Sequence, residues 1–129
     1  MNIQGVEHIA INVLDLKKSI DFYGRVLGFD QLETVDRGDF TITYFALPDR
    51  HRLELFDYGG KNQRIPRDDS DSGLRHIAFL VEDVAACEAK LREEGVEIAL
   101  STCDLPALGM RVLLFRDPNG ITLEFCEHL

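Results

Sequence analysis

The chain has 129 residues, 45% of them apolar and 29% charged, enough to bury a core without disulfide staples and the balance of an ordinary globular domain. A net charge of −9 argues against nucleic acid or an anionic membrane as partner, and no apolar run approaches the about 20 residues of a membrane span. Three cysteines without a CxxC spacing, and no basic-then-apolar leader, predict a cytoplasmic protein with reduced thiols.

From Val6 to Val13 apolar residues alternate, with Ile9, Ile11 and Val13 on one face and His8, Ala10 and Asn12 on the other, as in a half-buried strand. Asp15 is placed to cap a helix whose stripe runs through Leu16, Ile20, Tyr23 and Leu27, widened by Phe22 and Val26, and which Gly28 ends. Gly24 inside that helix costs about 1 kcal/mol relative to alanine, which points to close packing there. Three strands are expected next, at 29–35, 41–47 and 53–58, separated by the turn-forming stretches DRGD and PDRH. Residues 59–72 (GGKNQRIPRDDSDS) are polar and aperiodic, and read as a connector that can join neighbouring halves, let one half reach across a dimer, or fold over a ligand.

The order then repeats. A strand over 74–81 is followed by a helix capped by Asp83, with Val84, Cys87 and Leu91 on its buried face and Gly95 at its end. Strands at 96–100, 110–115 and 121–126 follow, the last two joined by a turn at Pro118-Asn119-Gly120. The repeat is literal at its start: GVEHIAINVLD and GLRHIAFLVED align Gly5 with Gly73, His8 with His76 and Asp15 with Asp83, each 68 residues apart. The pattern predicts one α+β domain over 1–129, built of two βαβββ modules (5–58 and 73–129) whose curved mixed sheets surround a metal-binding cavity.

The repeat extends to candidate ligands. His8 and His76 take the same place on the first strand of each module, and Glu54 and Glu124 the same place on the last, with their carboxylates turned away from the packed faces. Ala10 and Ala78 leave room beside them. A lone strand histidine is usually a surface polar residue, but four matched positions point to a divalent ion (Ni, Co, Zn, Mn or Fe) held by His8, Glu54, His76 and Glu124. Such an ion polarises a carbonyl of a small-molecule substrate, with Glu54 or Glu124 as the catalytic base. His51 and His128 have no counterpart in the repeat and read as ordinary polar residues.

The paired modules, FYGRVLGF at Phe22–Phe29, HIAFLVED at His76–Asp83 and FRDPNGITLEF at Phe115–Phe125 together resemble the vicinal oxygen chelate superfamily. That superfamily includes glyoxalase I, extradiol dioxygenases, methylmalonyl-CoA epimerase and the bleomycin and fosfomycin resistance proteins. The resemblance covers nearly the whole chain outside 59–72 and 101–109. The order His8, Glu54, His76, Glu124 is that of the glyoxalase I ligands. It implies a lyase converting the hemithioacetal of methylglyoxal and glutathione to S-lactoylglutathione, with Glu54 or Glu124 moving the proton. The alternatives it implies are an epimerase or dioxygenase using the same metal site, or a non-catalytic drug-binding resistance protein. A homodimer is also implied by resemblance.

Overall fold

The computed structural model describes residues 1–68 and 70–129, in two compact units, 1–64 and 65–129. The first contains β1 (His8–Asn12), α1 (Leu16–Ile20), a π-helical segment (Asp21–Val26), β2 (Asp30–Asp36), β3 (Thr41–Ala46) and β4 (Arg52–Asp57). The second contains β5 (Ile77–Leu80), α2 (Val84–Glu93), β6 (Ile98–Leu105), β7 (Met110–Arg116) and β8 (Thr122–His128). Each unit holds one four-stranded mixed sheet, ordered β1-β4-β3-β2 and β5-β8-β7-β6, so the α+β fold of two βαβββ modules is the one the repeat implied. In each sheet the first strand runs parallel to the last and the other two pairings are antiparallel.

The helix starts are set by the expected caps. The Asp15 carboxylate accepts from the Lys18 amide at 3.0 Å and that of Asp83 from the Ala86 amide at 2.9 Å, each satisfying a backbone donor that a helix start leaves unpaired. In the first unit Ile11, Val13, Phe22, Tyr23, Phe45, Leu53 and Leu55 form the buried face; in the second Ile77, Val84, Leu91, Leu113, Phe115, Leu123 and Phe125 do. The fully covered Tyr23 and Phe45 rings pack 6.4 Å apart. A Cβ on Gly24 would meet the Phe45 ring at 3.4 Å, which accounts for glycine where the helix lies on the sheet.

The structure corrects several boundaries. The single helix expected from Leu16 to Leu27 is α-helical only to Ile20; Leu27 N–H then reaches back five residues to Phe22 O at 2.9 Å, and Gly28 follows with φ of 80°. A stripe of side chains three and four apart looks much the same in either helix, so periodicity could not separate them. The strand expected over 74–81 shortens to Ile77–Leu80, which leaves His76 immediately before β5, whereas His8 opens β1. The largest change is in β6, which runs on to Leu105 through much of what read as a 101–109 loop. Two register shifts, between Ile98 and Leu100 and between Leu100 and Cys103, break its alternation and hid it.

Those shifts leave a backbone donor without a ladder partner, and a helix supplies one. The Thr102 amide donates to Glu88 Oε2 at 2.8 Å, while Glu88 Oε1 accepts from Arg92 Nη2 at 2.6 Å and Nε at 2.9 Å. The connector expected over 59–72 includes position 69, which lies outside the described residues. Asn62 Nδ2 donates to Val13 O at 3.0 Å within the first unit. In the second, the Arg67 guanidinium donates to Ser72 O at 2.9 Å and Leu74 O at 3.3 Å. Cys87, Cys103 and Cys126 are free thiols, and burial raises the pKa of Cys87 and Cys126. No helix among the described residues is long and apolar enough to cross a membrane.

The bonds from Thr102 first, then those from Arg92, hold the Glu88 pKa down at about 2 from an ordinary 4.5. Its contribution to stability is therefore complete above about pH 4.5 and lost as pH falls toward 2. Glu88→Ala is expected to cost about 1–3 kcal/mol at pH 7, the range for hydrogen bonds to a charged group. It should cost much less near pH 2; urea titrations at the two pH values measure the difference.

Candidate metal centre

Each module brings one histidine to one glutamate by the same device. Parallel pairing sets Ala10 opposite Glu54 on β1 and β4, and Ala78 opposite Glu124 on β5 and β8. The histidine two residues earlier falls on the same face, and the alanine between has too little side chain to separate the two groups. His8 Nδ1 lies 3.8 Å from Glu54 Oε1, and His76 Nε2 lies 3.1 Å from Glu124 Oε2.

The carboxylates are more covered than a polar face between apolar neighbours would suggest. The Glu54 side chain is only 11% exposed and that of Glu124 16%. The histidines are more open, 44% for His8 and 29% for His76. His8 Nδ1 also contacts the Glu7 carboxylate, which the sequence reading did not single out. That bond, and behind it the charge of Glu54, raises the His8 pKa above its usual value.

The Glu124 position depends on the turn before β8. Asp117 is buried, and its carboxylate accepts from the Asn119 amide, Asn119 Nδ2 and the Ile121 amide, each at 2.8 Å. Gly120 closes the turn at φ of 81°, with its N–H on Asp117 O at 3.0 Å. This network starts β8 in register, with Thr122 opposite Arg116 and Glu124 opposite Leu114. The sequence signal for it was the DPNG run, read only as a turn. Asp117→Ala leaves three donors without their acceptor and is expected to destabilise the fold by about 1–3 kcal/mol, measured by urea denaturation.

Each pair offers one imidazole nitrogen and one carboxylate, donor types that suit a divalent ion of the borderline class. Donors each about 2.1 Å from an ion and at right angles lie about 3 Å apart, close to the His76–Glu124 separation. The other imidazole nitrogen, His76 Nδ1, is buried with no hydrogen-bond partner among the described residues. Among the described residues no group of three or more His, Cys, Asp or Glu side chains stands ready to hold a metal; the four candidates form two pairs, one in each unit. His51 lies at the turn before β4 and His128 at the end of β8, neither with a described metal-ligand group around it.

The architecture agrees with what comparison with known proteins finds. Residues 5–125 match the Glyoxalase/Bleomycin resistance protein/Dioxygenase superfamily, and the chain belongs to that family. It is 34% identical to YaeR of Escherichia coli (strain K12), covering 98% of both chains. It is 32% identical to the 2-epi-5-epi-valiolone epimerase of an Actinomyces species, over 92% of this chain and 76% of that one. A probable lactoylglutathione lyase of Synechocystis is 28% identical over 93% of this chain and 92% of its own. Among solved structures, that of SMU.1112c superposes with a TM-score of 0.84 at 30% identity, covering 98% of this chain and 100% of that one.

Proposed function

We propose that the protein is a divalent-metal-dependent enzyme of the glyoxalase family, held as a homodimer in the cytoplasm, that moves a proton on a small substrate bearing two adjacent oxygens. The observation that carries this reading is the His–Glu pair repeated at matched places in the two modules, His8 with Glu54 and His76 with Glu124. A binding protein has no need to duplicate such a pair. The two pairs together would hold the ion. Once bound there, it supplies Lewis-acid polarisation of a carbonyl, which makes the neighbouring C–H more acidic.

The chain's own groups do the rest. Glu54 and Glu124, both largely screened from water, are the candidate bases. One of them takes the proton from the hydroxyl-bearing carbon and delivers it to the former carbonyl carbon, while the hydroxyl proton passes to the former carbonyl oxygen, which converts a hydroxy-carbonyl into its isomer. For the hemithioacetal of methylglyoxal and glutathione that movement yields S-lactoylglutathione, the reaction supported by the likeness to the lyase. The alanines at 10 and 78 leave space for the substrate beside the bases. A second reading, epimerisation, is favoured by the 32% identity to an epimerase and uses the same groups, with the proton returned to the opposite face of the same carbon.

Glu124→Gln keeps the shape of the side chain but removes the base. It is expected to lower turnover by about 10²–10⁴-fold with an unchanged thermal melting curve. Purified protein stripped of metal and reloaded with Ni²⁺ or Zn²⁺ is expected to take up the ion and gain activity, followed as S-lactoylglutathione absorbance. Failure to bind either ion, with no gain in activity, would sink the enzyme reading and favour sequestration. Metal uptake without that product, but with exchange of a substrate C–H for deuterium, selects epimerisation.

A further inference from the structure

The repeat of ligands is accompanied by a repeat that the sequence offsets conceal. In the first sheet the next cross-strand pair on the same face as Tyr44–Glu54 is Ala46–Arg52, two pairs along; in the second, the next on the face of Leu114–Glu124 is Arg116–Thr122. Directly paired residues project to the same face, so each glutamate has an arginine in the next pair on its own face. The arginine lies on β4 in one module and on β7 in the other, which is why aligning the halves does not reveal it. His8 itself pairs with Arg52 across β1 and β4.

Both guanidiniums are held in place while most of their donors stay uncommitted. Arg52 stacks over the Tyr44 ring at 4.7 Å from its centroid, and its Nη2 donates to Glu33 Oε1 at 3.0 Å. Its side chain is 38% exposed and that of Glu33 52%, so water screens this ion pair. Arg116 donates through Nη1 to the Thr122 hydroxyl. Each guanidinium has five N–H donors, and the planar fork suits a carboxylate or phosphate.

The geometry points to Arg52 and Arg116 as specificity-determining residues for a substrate that carries a carboxylate or phosphate beyond its two metal-facing oxygens. This inference rests on the proposed grouping of the four ligands around one ion. In that grouping the two guanidiniums offset the carboxylates of Glu7 and Glu33, so the site does not share the negative balance of a chain whose net charge is −9. Relief from the negative charge carried elsewhere on the chain lets an anion approach, and the two planar donor forks select it once there.

Three hydroxamates test it on the zinc-loaded protein by calorimetry. Acetohydroxamate offers two adjacent oxygens and no further charge; succinohydroxamate adds a carboxylate and phosphonoacetohydroxamate a phosphonate. At least one of the charged pair is expected to bind about 10–100-fold more tightly than acetohydroxamate, the size of one charge-assisted hydrogen bond, and which one does so identifies the anion. That ratio should fall toward one in Arg52→Met and in Arg116→Met, and part-way in the corresponding lysine variants, which keep the charge but lose the fork. The same ratio in all proteins, or no preference for either anion in the wild type, overturns the inference.

Failure of acetohydroxamate itself to bind would instead count against the metal reading. The arginines are then judged in the metal-free protein, from their Nε–Hε resonances on titration with succinate. Shifts confined to Arg52 and Arg116 sustain the inference; no shift, or one shared equally by Arg25 and Arg92, overturns it.

Discussion

Parallel pairing of the first strand of each module with its last is the constraint on which the site depends. Parallel neighbours cannot be joined by a tight turn and need a longer crossover, which in each module is a helix and two further strands. That is why residues 46 apart along the chain, His8 and Glu54, finish within 3.8 Å, and why His76 and Glu124 finish within 3.1 Å. One residue of slip in either pairing would send the histidine or the glutamate to the helix-covered face. The buried Leu53 and Leu55 flanking Glu54, and Leu123 and Phe125 flanking Glu124, resist that slip because it would bring them out and bury a charge.

The same logic explains where polar side chains were recruited inside the modules. Asp117 satisfies three donors at the turn before β8, and Glu88 satisfies the Thr102 amide that the irregular register of β6 leaves unpaired. Neither residue is near the reacting groups in role, yet both hold the frame on which those groups stand. Glu7 is different: it lies against His8 and raises the proton affinity of a ring that must be neutral to bind a metal.

Much of the fold was legible because it is duplicated. The HIA triplets, the two capping aspartates and the LEF or LEL runs each occur twice in the same order, and alternation identified the inward faces of β1, β4 and β8. What was illegible lies where backbone bonds depart from the regular ladder. The π-helical turn over Asp21–Val26 and the register shifts of β6 preserve composition while changing hydrogen bonding, so a pattern of side chains carries no trace of them. The arginines escaped for a related reason: Arg52 and Arg116 are equivalent across a strand pair but not along the chain.

The sequence by itself determined which residues could bind a metal and on which face of their strands they would lie, because side-chain direction in a strand follows from parity. It determined the family as well, through motifs spread over nearly the whole length. Only the tertiary structure decided that the carboxylates are covered, that the four candidates stand as two pairs within the described chain, and that each glutamate has an arginine beside it. Those properties depend on which strand lies next to which and in what register. Register is settled by packing across the whole sheet, beyond the reach of any local pattern in the chain.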